Sequence, residues 1–121
     1  MESNAQCPGL NMDKGVAQFG GNEELFVTIL GYYVTDTYAL LDAIGEITEE
    51  SLAEYAKTAH GIKGSSRSVY AEEVGDAAEK LESAAKNGDL EYVAANNAAF
   101  VEQIRQLLHN IEDMVAARGA S

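Results

Sequence analysis

The sequence predicts an all-α fold: an antiparallel up-down four-helix bundle with a short extra helix at its N-terminal end. Three observations lead to this prediction. The only proline is Pro8, so no later residue lacks the amide hydrogen that a helix interior needs. Apolar residues recur at helical spacing in four long segments, and no alternating stretch bounded by turn residues competes with them. The connections are only a few residues long, which makes consecutive helices antiparallel neighbours.

The first two predicted helices are separated by the pair Gly20-Gly21. The short extra helix is predicted over residues 12–19. Asn22 is the predicted N-cap of a long helix, because its side chain can accept a backbone hydrogen bond and two glutamates follow it in the first turn. The apolar positions of this helix run over residues 25–44 at spacings of three and four, and Gly45 ends it.

The remaining three helices are also marked by caps and glycines. Thr48 is the predicted N-cap of the next helix, with Ser51 in place of the glutamate that a full capping box would have. A further helix is predicted over residues 71–86, and Asn87-Gly88-Asp89 supplies its C-terminal glycine and the following N-cap. The last helix, residues 90–117, is periodic throughout and would be about 42 Å long.

The length of 121 residues fits one domain, and we expect it to occupy residues 10–117 behind a flexible leader, residues 1–9. The formal net charge of −12 repels nucleic-acid phosphates and anionic lipids, so neither is an expected partner. No signal peptide and no apolar run of about 18 residues is present. The single cysteine, Cys7, cannot form an internal disulfide, which favours a cytoplasmic protein. A monomer is expected.

The charge pattern changes in one interval of the helix that is predicted after Thr48. Between Glu54 and Glu72 the sequence has no acidic residue, yet three of its eight cations lie there. At 100° per residue, one stripe beside the apolar face of this helix carries His60, Lys63, Gly64 and Arg67. The stripe is therefore a candidate site, open to solvent.

These residue types suit phosphoryl transfer. The imidazole of His60 can act as a nucleophile, and an unperturbed imidazole, with a pKa of about 6.5, is mostly neutral near pH 7. Lys63, one helical turn further on, can offset the negative charge of a transferring phosphoryl group. Gly64 has no side chain and leaves room for that group and for a partner's backbone.

The sequence His60-Gly61-Ile62-Lys63-Gly64-Ser65-Ser66 resembles the motif H-x-L-K-G-S-S/A of histidine-containing phosphotransfer (HPt) domains. Residues 16–25 and the turn at residues 87–89 are also similar to bacterial members, and the resemblance covers roughly residues 10–115. It implies that His60 accepts a phosphoryl group from the phospho-aspartate of one receiver domain and passes it to the aspartate of another. Lys63 would be the charge partner and Gly64 the clearance position.

The resemblance also implies partners and cofactors. The partners would be receiver domains of response regulators and a hybrid histidine kinase. The receiver would supply Mg²⁺, while this chain would bind no metal or cofactor and have no independent kinase turnover. Four residues are candidates for the surface on which a receiver docks: Val16, Phe19, Arg67 and Val69.

Two positions near the motif bear on this resemblance. Tyr70 stands where the family often has glycine, which puts the adjoining helix ends in question. Glu82 stands where the family often has glutamine or glutamate close to the active histidine, and it could support that histidine.

Two alternatives stay open from the sequence. The protein could be a non-catalytic acidic four-helix adaptor that binds a signalling partner and keeps the histidine motif without using it. A metal-binding bundle is the other, but His109 and Glu112 form only half of a di-metal motif and no matching pair occurs elsewhere, so no metal site is expected.

Overall fold

The computed structural model describes residues 7–119, and over that range the chain forms five helices and no strands. This confirms the predicted all-α fold, and each predicted helix is present. The helices are α1 (Met12–Gln18), α2 (Glu23–Asp42), α3 (Leu52–Ser68), α4 (Glu72–Lys86) and α5 (Leu90–Gly119). Within the described range, none of them combines the length and the apolar character needed to cross a membrane.

Helices α2 to α5 form a closed ring in which each helix packs against two others. α3 lies between α2 and α4, and α5 closes the ring by contacting both α4 and α2. Side-chain contacts between helices show that α3 and α4 run antiparallel, because His60 pairs with Glu82 and Arg67 with Asp76, and that α2 and α5 do so as well. Tyr38 in the second half of α2 bonds to Glu112 of α5, whereas Glu23 at the start of α2 pairs with Arg118 near the end of α5. The short helix α1 packs against α2 outside this ring.

The core lies inside the ring and is almost wholly apolar. Its most deeply buried large side chains come from α2, α3 and α5 and include Phe26, Leu30, Ile62, Val93, Ile104, Leu108 and Ile111. The helix α4 adds the buried side chains of Val74, Ala78 and Leu81. One polar pair crosses it, because the Tyr33 hydroxyl lies 2.7 Å from the Ser66 hydroxyl and both groups are buried. Each hydroxyl satisfies the other, which avoids the cost of an unpaired polar group in the core.

The N-terminal segment differs from the predicted flexible leader. Cys7 is 3% exposed and belongs to the core, and burial raises the pKa of its thiol to about 11. The Asn110 side chain donates a hydrogen bond of 3.2 Å to the Pro8 carbonyl, which fixes the segment on α5. The leader prediction is therefore wrong for residues 7–9, and its remaining residues, 1–6, lie outside the described range.

The predicted caps have different outcomes. Asn22 caps α2 as expected, because its side chain accepts a 3.0 Å hydrogen bond from the Leu25 amide. The prediction for Thr48 is wrong, since α3 begins at Leu52 with Ser51 as its N-cap. Thr48 and Ser51 do exchange reciprocal side-chain to backbone bonds, of 2.9 and 3.2 Å. However, the Ser51 hydroxyl also donates to the Glu46 carbonyl, 2.8 Å away, and these bonds close a turn before the helix.

Tyr70 connects α3 to α4 in a left-handed backbone conformation, with φ of +65°. It is the one non-glycine residue with positive φ in the described range, and this conformation explains why glycine suits the position. Its carbonyl accepts a 3.0 Å hydrogen bond from the Asn11 amide, and its hydroxyl donates one of 3.0 Å to Gln18 in α1. The tyrosine thus offsets part of the conformational cost by holding α1 against the turn.

Replacing Tyr70 by glycine and by alanine should separate these two effects. Both variants lose the bond to Gln18, but only alanine keeps the steric cost of positive φ. We therefore expect Tyr70→Gly to be more stable than Tyr70→Ala by about 1 kcal/mol in urea unfolding. The same pair at Lys80, an exposed helical position, should show the opposite order. Equal stability of the two Tyr70 variants would contradict the backbone argument.

Candidate functional site

His60 lies in the middle of α3 and faces α4. Its side chain is 67% exposed, and its Nδ1 atom lies 2.9 Å from Oε2 of Glu82 in α4. The Glu82 side chain is only 5% exposed, and Glu82 is the one acidic residue buried among residues 7–119. A solvent-facing imidazole is therefore attached at one nitrogen to a carboxylate held in the interior.

Two lysines balance the charge of this buried carboxylate. Lys63 Nζ lies 2.8 Å from Glu82 Oε1, and Lys86 Nζ lies 2.9 Å from Oε2. These ammonium groups, Lys63 first, lower the pKa of Glu82 to about 2, and the bond to His60 acts in the same direction. Glu82 is consequently ionised throughout the physiological pH range.

The ionised carboxylate determines how the His60 ring is protonated. A carboxylate can only accept hydrogen bonds, so Nδ1 of His60 must be the donor. A neutral imidazole carries one proton, which leaves Nε2 with a free lone pair. Since the side chain is largely exposed, this nucleophilic nitrogen is available to a partner.

Lys63 and Gly64 lie beside His60 in different settings. Gly64 is exposed, and a Cβ built on it would meet no atom within 4 Å. The predicted stripe is thus open at His60 and Gly64. Lys63 is not open to the same degree, because its side chain is 22% exposed and its ammonium group turns toward Glu82. The structure brings His60 and Lys63 together through a carboxylate from another helix.

An open groove of about 590 Å³ runs between α3 and α4 next to the imidazole. Alanines form much of its lining, and it is bounded by Ala53, Ala56, Lys57, His60, Glu82, Ala85 and Lys86. The small side chains let the helices approach closely there, which gives Glu82 access to His60. The described residues contain no cluster of three or more His, Cys, Asp or Glu side chains that could hold a metal ion.

The structure does not assemble the predicted docking surface. Val69 is 2% exposed and belongs to the core, so it offers no surface to a partner and that prediction is corrected. Val69 is the C-cap of α3, and the next residue but one, Ala71, is also buried, so the connection to α4 packs against the core. Val16 and Phe19 are half-buried, and the Phe19 ring packs against Phe26 at a centroid distance of 6.2 Å.

Arg67 is already paired within the chain. Its guanidinium group lies 3.0 Å from Asp76 and 2.6 Å from Glu79, both on α4. The hydrogen bonds to these carboxylates raise the pKa of Arg67. Its aliphatic stem lies over Gly75, where an added Cβ would come within 2.7 Å of it. Arg67 therefore joins α3 to α4, and a role in partner binding would require it to leave these carboxylates.

Lys86 belongs to the site, although it is not among the site residues predicted from the sequence. A usable signal was present, because Lys86 lies four residues after Glu82, and such pairs meet on one face of a helix. The sequence alone indicates only a supporting role for Glu82 and does not show that its carboxylate is buried and needs a further cation. The pair contributes to the site because α4 packs against α3 and so brings Glu82 to His60.

The fold and the site together define a small helical-bundle domain with an exposed histidine, His60, which is bound to a buried carboxylate that two lysines neutralise. The model of the Hpt domain family matches residues 28–116, which is most of the chain, so the protein belongs to the Hpt domain family. Comparison with curated proteins and with solved structures returned no significant match. Domains of this family carry out phosphotransfer in phosphorelays and interact with receiver domains.

The ionised state of Glu82 should be visible in the acid stability of the protein. Its pKa is about 2 in the folded chain and 4.5 for an unperturbed glutamate, so its ion pairs stabilise the fold fully above about pH 4.5. This contribution is lost as the pH falls toward 2. The difference in free energy of unfolding between wild type and Glu82→Gln should therefore shrink between pH 5 and pH 2, measured by urea titration.

The exposed Glu102 on α5 provides the matched control for the same chemical change. Glu102→Gln should differ from wild type by a small amount that changes little over this pH interval. A difference for Glu82→Gln that stays constant from pH 5 to pH 2 would contradict the assigned ion pairs.

Proposed function

We propose that the protein is a phosphohistidine carrier in a multistep two-component phosphorelay. His60 would accept a phosphoryl group from the phospho-aspartate of one receiver domain and pass it to the aspartate of another. The observation that carries the proposal is the exposed His60 imidazole whose Nδ1 is bound to the buried, ionised Glu82. The motif around His60 and membership of the Hpt domain family support it.

The transfer step follows from this protonation state. The lone pair of His60 Nε2 attacks the phosphorus of the aspartyl phosphate, a nitrogen–phosphorus bond forms, and the phosphorus–oxygen bond to the aspartate breaks. The aspartate leaves as a carboxylate, and the imidazole ring gains positive charge because Nδ1 keeps its proton. Glu82 accepts that Nδ1–H bond, so its negative charge stabilises the ring as the charge develops. Transfer to the second receiver is the reverse of these changes.

Lys63 and Gly64 complete the site in this proposal. Lys63 is one helical turn from His60, and its ammonium group can offset the charge of the phosphoryl oxygens. Gly64 keeps the surface next to His60 free of side-chain atoms, so a receiver can bring its phosphorylated aspartate up to Nε2. Close and correct approach of the two reacting groups is a major source of rate acceleration.

The partners proposed are receiver domains of response regulators and of a hybrid histidine kinase. The receiver would hold the Mg²⁺ ion and the acidic pocket, so this chain needs no metal of its own and acts as an intermediate without independent kinase turnover. We propose a monomeric protein in the cytoplasm, a reducing compartment that suits a chain with a single, buried cysteine.

Loss of the acceptor nitrogen should abolish phosphorylation. Incubation of the wild-type protein with a phosphorylated receiver domain should label it with phosphate that is stable in base and lost in acid. His60→Gln should remain unlabelled, whereas His109→Gln, which changes the other histidine, should be labelled like wild type. Label that survives in His60→Gln would contradict the assignment. A stable complex with a receiver but no transfer in the wild type would favour the adaptor function.

A side chain at Gly64 should raise the stability of the protein but lower the rate of phosphoryl transfer. Gly64→Ala introduces a Cβ that meets nothing in the chain itself and removes a glycine from a helix, so stability should rise by about 1 kcal/mol. Transfer from a receiver should nevertheless slow by roughly tenfold or more, because the reacting groups are held apart. Gly31→Ala, an exposed helical glycine with equally open surroundings, should raise stability without slowing transfer. Unchanged transfer in Gly64→Ala would contradict the clearance role.

A further inference from the structure

We propose that Lys86 is a positioning residue that keeps Glu82 paired, so that Lys63 is free to move to the phosphoryl group on His60. The inference rests on the proposed function and concerns the same site. Lys86 lies at the end of α4, outside the histidine motif, and its side chain is 64% exposed. Its Nζ atom reaches the buried carboxylate from the solvent side of the groove.

The two carboxylate oxygens of Glu82 have different partners. Oε1 has Lys63 at 2.8 Å, whereas Oε2 has both Lys86 and His60 Nδ1 at 2.9 Å. Lys63 is thus bound to the oxygen that the imidazole does not use. Its departure would leave the bond between His60 and Oε2 in place.

Lys63 has two competing anionic partners once His60 carries a phosphoryl group. If Lys63 were the only ammonium group near Glu82, its movement to the phosphoryl oxygens would leave a carboxylate that is 5% exposed with the His60 Nδ1–H as its single donor. The loss of an ammonium partner from a buried carboxylate is unfavourable, so Lys63 would be held at Glu82. With Lys86 on Oε2, the carboxylate keeps a charge partner and Lys63 can move at little cost. Lys86 therefore balances the charge of Glu82, and Lys63 can balance the charge of the phosphoryl group.

The net charge of the groups around the imidazole also supports separate roles for Lys63 and Lys86. The charged groups that face the imidazole are Lys57 and Lys63 on α3 and Glu82 and Lys86 on α4. Lys57 pairs with Glu54 at 3.4 Å, so it is already balanced. Lys63, Lys86 and Glu82 together leave one positive charge in excess, which is available to a phosphoryl group.

A double-mutant cycle between Lys86 and Glu82 tests this role. Phosphorylation of His60 is followed with phosphoramidate, a small donor with no docking surface, in wild type, Lys86→Ala, Glu82→Gln and the double variant. Glu82→Gln keeps an oxygen that can accept the Nδ1–H bond but has no charge to balance. We expect Lys86→Ala to slow phosphorylation roughly three- to tenfold in the wild-type background and by less than about twofold in the Glu82→Gln background.

Two further variants distinguish positioning from a general charge effect. Lys86→Arg restores a cation that can reach Glu82 and should regain most of the wild-type rate. Lys80→Ala removes the same charge from an exposed position of the same helix and should leave the rate unchanged. Thermal unfolding followed by circular dichroism checks that each variant is folded.

The outcomes are separable from those of the proposed function. An equal loss on removing Lys86 in both backgrounds would mean that Lys86 acts on the phosphoryl group directly, which overturns the inference. No loss in the wild-type background overturns it as well. Neither result affects the labelling of His60 by a receiver. Conversely, a wild-type protein that no receiver labels would contradict the proposed function, and the double-mutant cycle with phosphoramidate could still be measured.

Discussion

The site depends on one buried carboxylate, Glu82, and on the three donors that surround it. Removing an unpaired carboxylate from water is costly, and Glu82 is tolerated in the interior because two ammonium groups and an imidazole N–H lie within 2.9 Å of its oxygens. The same pairing keeps it ionised, and an ionised carboxylate selects the tautomer of His60. The same set of contacts between α3 and α4 thus allows Glu82 to be buried, balances its charge and orients the His60 imidazole.

The rest of the fold holds these two helices in register. Arg67 joins α3 to α4 near their connection, one to two helical turns from the histidine site, by contacting Asp76 and Glu79. The small residues along the α3–α4 contact allow close packing. On the other side of α3, the Tyr33–Ser66 hydrogen bond connects it to α2 through the core. The motif serine at position 66 is therefore a packing residue, and it does not reach the imidazole surface.

Local patterns predicted most of the fold and part of the site. Helical periodicity and the Asn22 cap depend on neighbours in sequence, and these predictions agree with the structure. The groups around Glu82 depend on a contact between residues 22 positions apart, which periodicity does not specify. For the same reason the sequence could not show that Val69 is buried. A hydrophobic residue at a helix end suits a core or a surface patch equally well, and only tertiary packing decides.

The connection at Tyr70 has a consequence for the dynamics of the molecule. Its backbone carbonyl binds the segment before α1, and its hydroxyl binds the end of α1. Because one residue makes both bonds, α1 cannot detach from the bundle without disturbing the turn between α3 and α4. Amide hydrogen exchange in α1 and in that turn should consequently report a common opening event. The N-terminal segment is then part of the cooperative unit that contains the histidine helix.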